Sequence, residues 1–165
     1  MTEAFLSYRG FNKPALTKGF TLIEMMAVMA VLSVLLLAVW PLADLNAERE
    51  RERELKRALW EIRDAIDAYK RMADLGAIQG SASGFPASLP TLVTGVVDHR
   101  TGATIYFLRR LPRDPFADIT LPAAQTWGLR SYQSSAQNPQ PGIDVYDVFS
   151  KSDLTALDDT PVGQW

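Results

Sequence analysis

The sequence predicts an α+β protein in which one long N-terminal helix, membrane-spanning in its first half and amphipathic in its second, lies on a small antiparallel sheet. Three observations predict it. Residues 20–42 form one apolar run; residues 46–70 lack Gly and Pro and repeat apolar residues at helical spacing; and the remainder is cut into short β-branched or aromatic stretches by turn residues. With 165 residues and 47% apolar composition, the chain accommodates one compact domain and an appendage. A net charge of -2 leaves no broad basic field for phosphate backbones, so nucleic acid is not an expected partner. The absence of cysteine excludes a disulfide framework, a Cys-based zinc site and a thiol nucleophile. A small core outside the cytoplasm then has to be secured otherwise, by a bound ion or by neighbouring copies.

The run FTLIEMMAVMAVLSVLLLAVWPL, residues 20–42, has Glu24 as its only ionisable side chain. Its length matches a hydrocarbon core of ~30 Å. Arg9, Lys13 and Lys18 outweigh Glu3 in the preceding arm, so that arm is expected to stay cytoplasmic and everything after Trp40 to face the periplasm. A cleavable secretory signal fits poorly: the run is too long, and Ala38-Val39-Trp40-Pro41 puts Trp and Pro where small residues belong. Glu24 is the informative residue, because a carboxylate inside lipid costs a few kcal/mol and usually has a partner. A position near the boundary, within reach of headgroups, would account for its tolerance. It would not account for its place just after Lys18-Gly19-Phe20.

Lys18-Gly19-Phe20-Thr21-Leu22-Ile23-Glu24, followed by the apolar run, resembles the prepilin-peptidase site of the type IV pilin-like superfamily, which includes type II secretion pseudopilins. The resemblance implies a pilin-like fold, a leader over residues 1–19, cleavage between Gly19 and Phe20, N-methylation of Phe20, and an assembly role for Glu24. Pro41 stands where the family commonly carries a proline near the end of the span. The resulting organisation is a leader over 1–19, a transmembrane helix over 20–42, an amphipathic periplasmic helix over 43–74 and a globular β domain over 75–165. In physical terms, the freed amine of Phe20 is a cation in a poorly solvated setting, and Glu24 of a neighbouring copy neutralises it as subunits stack. Pro41 lacks a backbone donor and crowds the preceding turn, which weakens the helix there during assembly.

Beyond the span, Leu55, Leu59, Ile62, Ile66 and Tyr69 recur in steps of four and three, marking the face expected to pack on the domain. Residues 48–54 alternate Glu and Arg; on a helix their i,i+3 pairs are opposite in charge and their i,i+4 pairs alike, the pattern of a solvated collar. The Gly-, Ala-, Ser- and Pro-rich stretch 75–92 is expected to be loop; within it Phe85-Pro86 resembles the family's Tyr-Pro-containing loop, and that resemblance implies an aromatic packed against the helix. Strands are expected at 104–108, 128–133 and 145–150, joined into one sheet.

Leu108-Arg109-Arg110-Leu111-Pro112-Arg113-Asp114-Pro115-Phe116 is similar to a proline-rich stretch of the major pseudopilins, with Phe116 in place of a tryptophan and Ala117 in place of a glycine. Its arginines are expected to pair with Asp114 or Asp118, or to serve an assembly contact. Residues 148–165 resemble the family's terminal loop, which binds one calcium ion, and Asp153, Asp158 and Asp159 are the corresponding acids. This loop is shorter than the family's and lacks its glycines. His99 has no Ser or Cys arrangement around it, Asp144 and Asp147 have no evident cleft, and no phosphate loop or HExxH pattern occurs, so no enzyme is expected.

The resemblance implies a structural subunit of the type II secretion pseudopilus. Its expected partners are other copies of itself, the prepilin peptidase, minor pseudopilins, the inner-membrane assembly platform and membrane lipid. The expected location is the inner membrane and then the periplasmic pseudopilus. A minor pseudopilin or a type IV pilin is the nearest alternative. From a different class, a non-polymerising membrane-anchored periplasmic binding protein is the other.

Overall fold

The computed structural model describes residues 19–165, without the side chains of residues 37–43. The leader expected over 1–19 lies outside the described residues except for Gly19, and the Pro41 side chain lies outside them too. The chain divides into two compact units after Leu42.

The protein is α+β, with a long N-terminal helix and small antiparallel sheets, an arrangement compatible with a pilin-like fold. Helix α1 runs Leu22–Asp74. Among the described residues no helix is long and apolar enough to cross a membrane; the expected span leaves the described side chains after Leu36. In the second unit the predicted face of α1 is the core. Leu55, Ile62 and Ile66 are fully buried, and Leu59 and Tyr69 nearly so. They pack with Leu89, Leu92, Trp127, Val145, Val148 and Val162 in one cluster. Fully burying each such aliphatic side chain contributes about 1.5–3 kcal/mol, so this stripe is the main reason the domain holds to its helix.

α1 ends in a Schellman motif. Gly76 takes φ 64, donating its N–H to Ala73 O at 2.9 Å, and Ala77 donates to Met72 O at 3.0 Å. Glycine tolerates this left-handed conformation without a Cβ penalty. The loop that follows delivers Phe85 to the core as expected, with Lys70 Nζ 5.5 Å above its ring. It ends in the one-turn helix α2, Thr91–Thr94.

The expected single three-stranded sheet is instead two separate two-stranded ladders. β1, Val96–Val97, pairs antiparallel with β2, Thr104–Ile105. β3, Trp127–Arg130, follows the short helix α3, Ala123–Thr126, and pairs antiparallel with β4, Asp147–Ser150. The physical reason is local. Immediately after β2, the amides of Phe107 and Leu108 both donate to Leu92 O, at 3.1 and 2.9 Å, which binds the chain to α2 and ends the ladder. β3 also stops short of the expected residue 133, because Ser131 donates to Gln140 O within its own loop. In the β3–β4 ladder Gly128 lies opposite Phe149, whose ring occupies the space a Cβ at Gly128 would need.

Candidate functional site

The expected processing junction, Gly19-Phe20, sits at the mouth of α1. Gly19, Phe20 and Thr21 precede the helix and are exposed, Phe20 by 72%. A Cβ at Gly19 would meet nothing within 4 Å, so packing within the described residues does not require glycine there. Thr21 caps the helix: Glu24 N–H donates to its Oγ1 at 3.2 Å, and Met25 N–H donates to its carbonyl at 3.1 Å. Thr21 and Glu24 have the Thr-x-x-Glu spacing of a capping box, a local pattern legible in the sequence. Glu24 is an acid in the first helical turn, where it faces the positive end of the helix dipole. Among the described residues no basic group forms a salt bridge with Glu24.

The helix leaving this junction is apolar on every side. All of residues 22–36 are exposed, including Ile23 at 76%, Val34 at 67% and Leu36 at 68%. A soluble helix keeps a polar face, whereas one apolar all round has to be covered by something outside itself. After Glu24, the only polar side chain in this stretch is Ser33, and its Oγ donates to Met29 O at 2.7 Å. Its donor is therefore satisfied within the helix, as a solvent without hydrogen-bonding capacity demands.

Residues 16–40 match the family model of the prokaryotic N-terminal methylation motif. The motif supports the type IV pilin-like class, whose members are structural subunits and not enzymes. It points to a membrane-anchored protein exposed to the periplasm. No curated protein and no solved structure matches the chain.

The residues that suggested chemistry have structural work instead. His99 is exposed in a turn, where its backbone N–H donates to Ala77 O at 2.8 Å. Asp144 is buried and accepts from Tyr132 N–H at 2.9 Å and from Ser83 Oγ. Asp147 receives Arg63 Nε at 2.8 Å and Arg130 Nη2 at 3.1 Å.

In the proline-rich stretch, Asp114 is 2% exposed and accepts from Phe116 N–H at 2.8 Å and from Ser150 Oγ at 2.5 Å. It fastens the loop to β4, while Trp127 Nε1 holds the same loop by donating to Pro112 O at 2.9 Å. The expected pairing of the arginines with Asp114 or Asp118 does not form. Arg113 donates to the carbonyls of Leu121 and Asp118, at 2.5 and 2.8 Å, and Asp118 spends its carboxylate on Thr120 N–H and Oγ1. The Thr120 backbone N–H first, then its hydroxyl, holds Asp118 below the usual aspartate range. Arg109 and Arg110 are exposed and form no salt bridge among the described residues.

Asp153, Asp158 and Asp159 are all exposed on the terminal segment. Among the described residues no group of three His, Cys, Asp or Glu side chains converges where a metal ion could be held. Asp158 Oδ1 accepts from Thr160 Oγ1 at 2.5 Å and from Thr160 N–H at 3.1 Å, and these bonds, the hydroxyl's first, lower its pKa. Asp159 occupies the left-handed region at φ 63 in the same tight turn. Calcium requires six to eight oxygens, and this donor set does not fit it.

Proposed function

We propose that the protein is a filament subunit of a type II secretion pseudopilus, of the major pseudopilin type. It is cut between Gly19 and Phe20 by a prepilin peptidase, methylated at Phe20, and extracted from the inner membrane to polymerise in the periplasm. The observation that carries this reading is the methylation motif running directly into a helix with exposed apolar side chains on all sides. Such a helix needs lipid before assembly and other apolar helices after it. The major type is favoured over a minor pseudopilin or a pilin by the resemblance of the proline-rich stretch 108–116 to that of major pseudopilins and by the absence of cysteine.

Processing makes Glu24 useful. A lone carboxylate costs about 2.5–3.5 kcal/mol at the centre of a membrane helix on insertion scales, and less at Glu24, which lies in the first turn of α1. The amine of a neighbour's Phe20 offsets much of that cost when two subunits stack in register, so charge neutralisation selects the assembled state. The assembly platform and minor pseudopilins act upstream of this step, as partners in extraction and initiation.

The test is crosslinking of processed protein in membranes, comparing the parent with Glu24→Leu. A ladder of multimers from the parent, much reduced in the variant although cleavage persists, is the expected result. A parent that stays monomeric would identify a membrane-anchored binding protein, and a variant that polymerises and exports normally would remove the role of Glu24.

A further inference from the structure

The segment after β4, residues 151–165, folds back as a strap against α1. Ala156 and Val162 are buried in the core, and the strap closes on itself through a bridge between Thr155 and Pro161. Ala156 N–H donates to Thr160 O at 2.8 Å, Val162 N–H to Leu154 O at 3.0 Å, and Trp165 Nε1 to Thr160 Oγ1 at 2.8 Å. With no cysteine in the chain and no converging acids among the described residues, something else must hold this turn to the domain.

Three side chains of α1 make that attachment. Glu52 Oε1 accepts the Leu157 N–H at 2.7 Å. Lys56 Nζ sits 3.9 Å above the Trp165 ring. Arg63 is the hub, with Nη2 donating to Trp165 O at 2.6 Å and to Val148 O at 3.0 Å while Nε engages Asp147. At about 100° per residue, positions 52, 56 and 63 fall within about 40° of arc, on a stripe bordering the buried face of α1. One stripe therefore grips the strap at two points: Leu157 in the turn, and Trp165 beyond it.

We infer that this strap is fastened by a metal-independent clamp of Glu52, Lys56 and Arg63. The clamp takes the place of the calcium ion that a resembling loop would hold. Arg63 suits the task because a planar guanidinium addresses several oxygens at once in a fixed fork, which a lysine ammonium cannot reproduce. Asp158 and Asp159 are left to shape the turn through Thr160 and a left-handed backbone, and neither is required to bind an ion.

The test uses the full processed chain in detergent micelles, with thermal unfolding and amide hydrogen exchange followed in millimolar calcium and in chelator. The unfolding midpoint is expected to agree between the two conditions within about 1 °C. Glu52→Gln should speed exchange at the Leu157 amide about tenfold, since a charge-assisted bond is replaced by a weaker neutral one. Arg63→Lys should loosen the amides of the strap as a group, Val162 included, and leave those of β1 and β2 unchanged. Should Arg63→Lys fail to fold, the Glu52 variant still decides the point, because Glu52 is outside the buried core. A midpoint several degrees higher in calcium, abolished by Asp158→Asn, would overturn the inference. Unchanged Leu157 exchange in Glu52→Gln would do the same.

Discussion

Replacing Asp114 with alanine would separate a loop that is anchored from one that merely rests on the domain. The carboxylate is 2% exposed and is the acceptor for Phe116 N–H and Ser150 Oγ. Removing it leaves two donors in a site water reaches poorly, each deprived of a bond to a charged group. Leaving a buried donor unsatisfied costs about 1–3 kcal/mol, and two of them, partly relaxed, should cost about 2–4 kcal/mol. For the unit Ala43–Trp165, an unfolding entropy near 0.25 kcal/mol/K translates that loss into a midpoint lower by about 8–16 °C. Asp114→Asn keeps an acceptor for Phe116 and should lose roughly half as much. Calorimetry or near-ultraviolet circular dichroism of the processed chain in micelles reads the difference. An alanine variant melting within about 2 °C of the parent would show that the buried carboxylate does not fasten the loop, and the reasoning would fail.

Other substitutions probe the remaining links. Ile62→Ala, at a fully buried position on α1, should destabilise the domain by about 2–5 kcal/mol, measured by chemical unfolding, while leaving cleavage at Gly19 intact. Gly128→Ala drives a methyl into the Phe149 ring and should cost about 1–3 kcal/mol, with Phe149→Ala restoring part of the loss in the double variant. Acid should weaken the domain. Asp98 is held below the usual aspartate range chiefly by the Arg100 backbone N–H, and Asp118 and Asp158 by Thr120 and Thr160. Groups with depressed folded-state pKa values contribute stability that is complete above the unfolded value of about 3.9 and disappears as pH falls through the folded one. The midpoint should therefore be flat from neutrality to about pH 5 and decline below about pH 4; a midpoint that rises on acidification would contradict these assignments.

What could be read from the sequence followed the range of the interactions involved. The stripe from Leu55 to Tyr69 was legible because helical periodicity is a local signal, and each of its five residues is buried. The loop after α1 was legible through its glycines and prolines, with Gly76 supplying the left-handed C′ position. The sheet was less so. β1 has only Val96 and Val97, too short for alternation to register, so β2 was assigned to the wrong sheet. The arginine-rich stretch misled for a different reason: proximity in sequence suggested pairing with Asp114, whereas Asp114 was satisfied by Ser150, brought in from β4. Arg63 was invisible because its partners lie 84, 85 and 102 positions away. Thr21 and Glu24 could have been found, since a Thr-x-x-Glu box before an apolar helix is a local pattern with a local cause.

The most direct measurement is the intact mass and N-terminal sequence of the protein recovered from membranes of cells with a prepilin peptidase. The account predicts a chain that begins at Phe20 and carries one methyl group on its amine. A chain that retains Met1 and its leader, or one cut after Trp40 in the manner of a secretory signal, would contradict it.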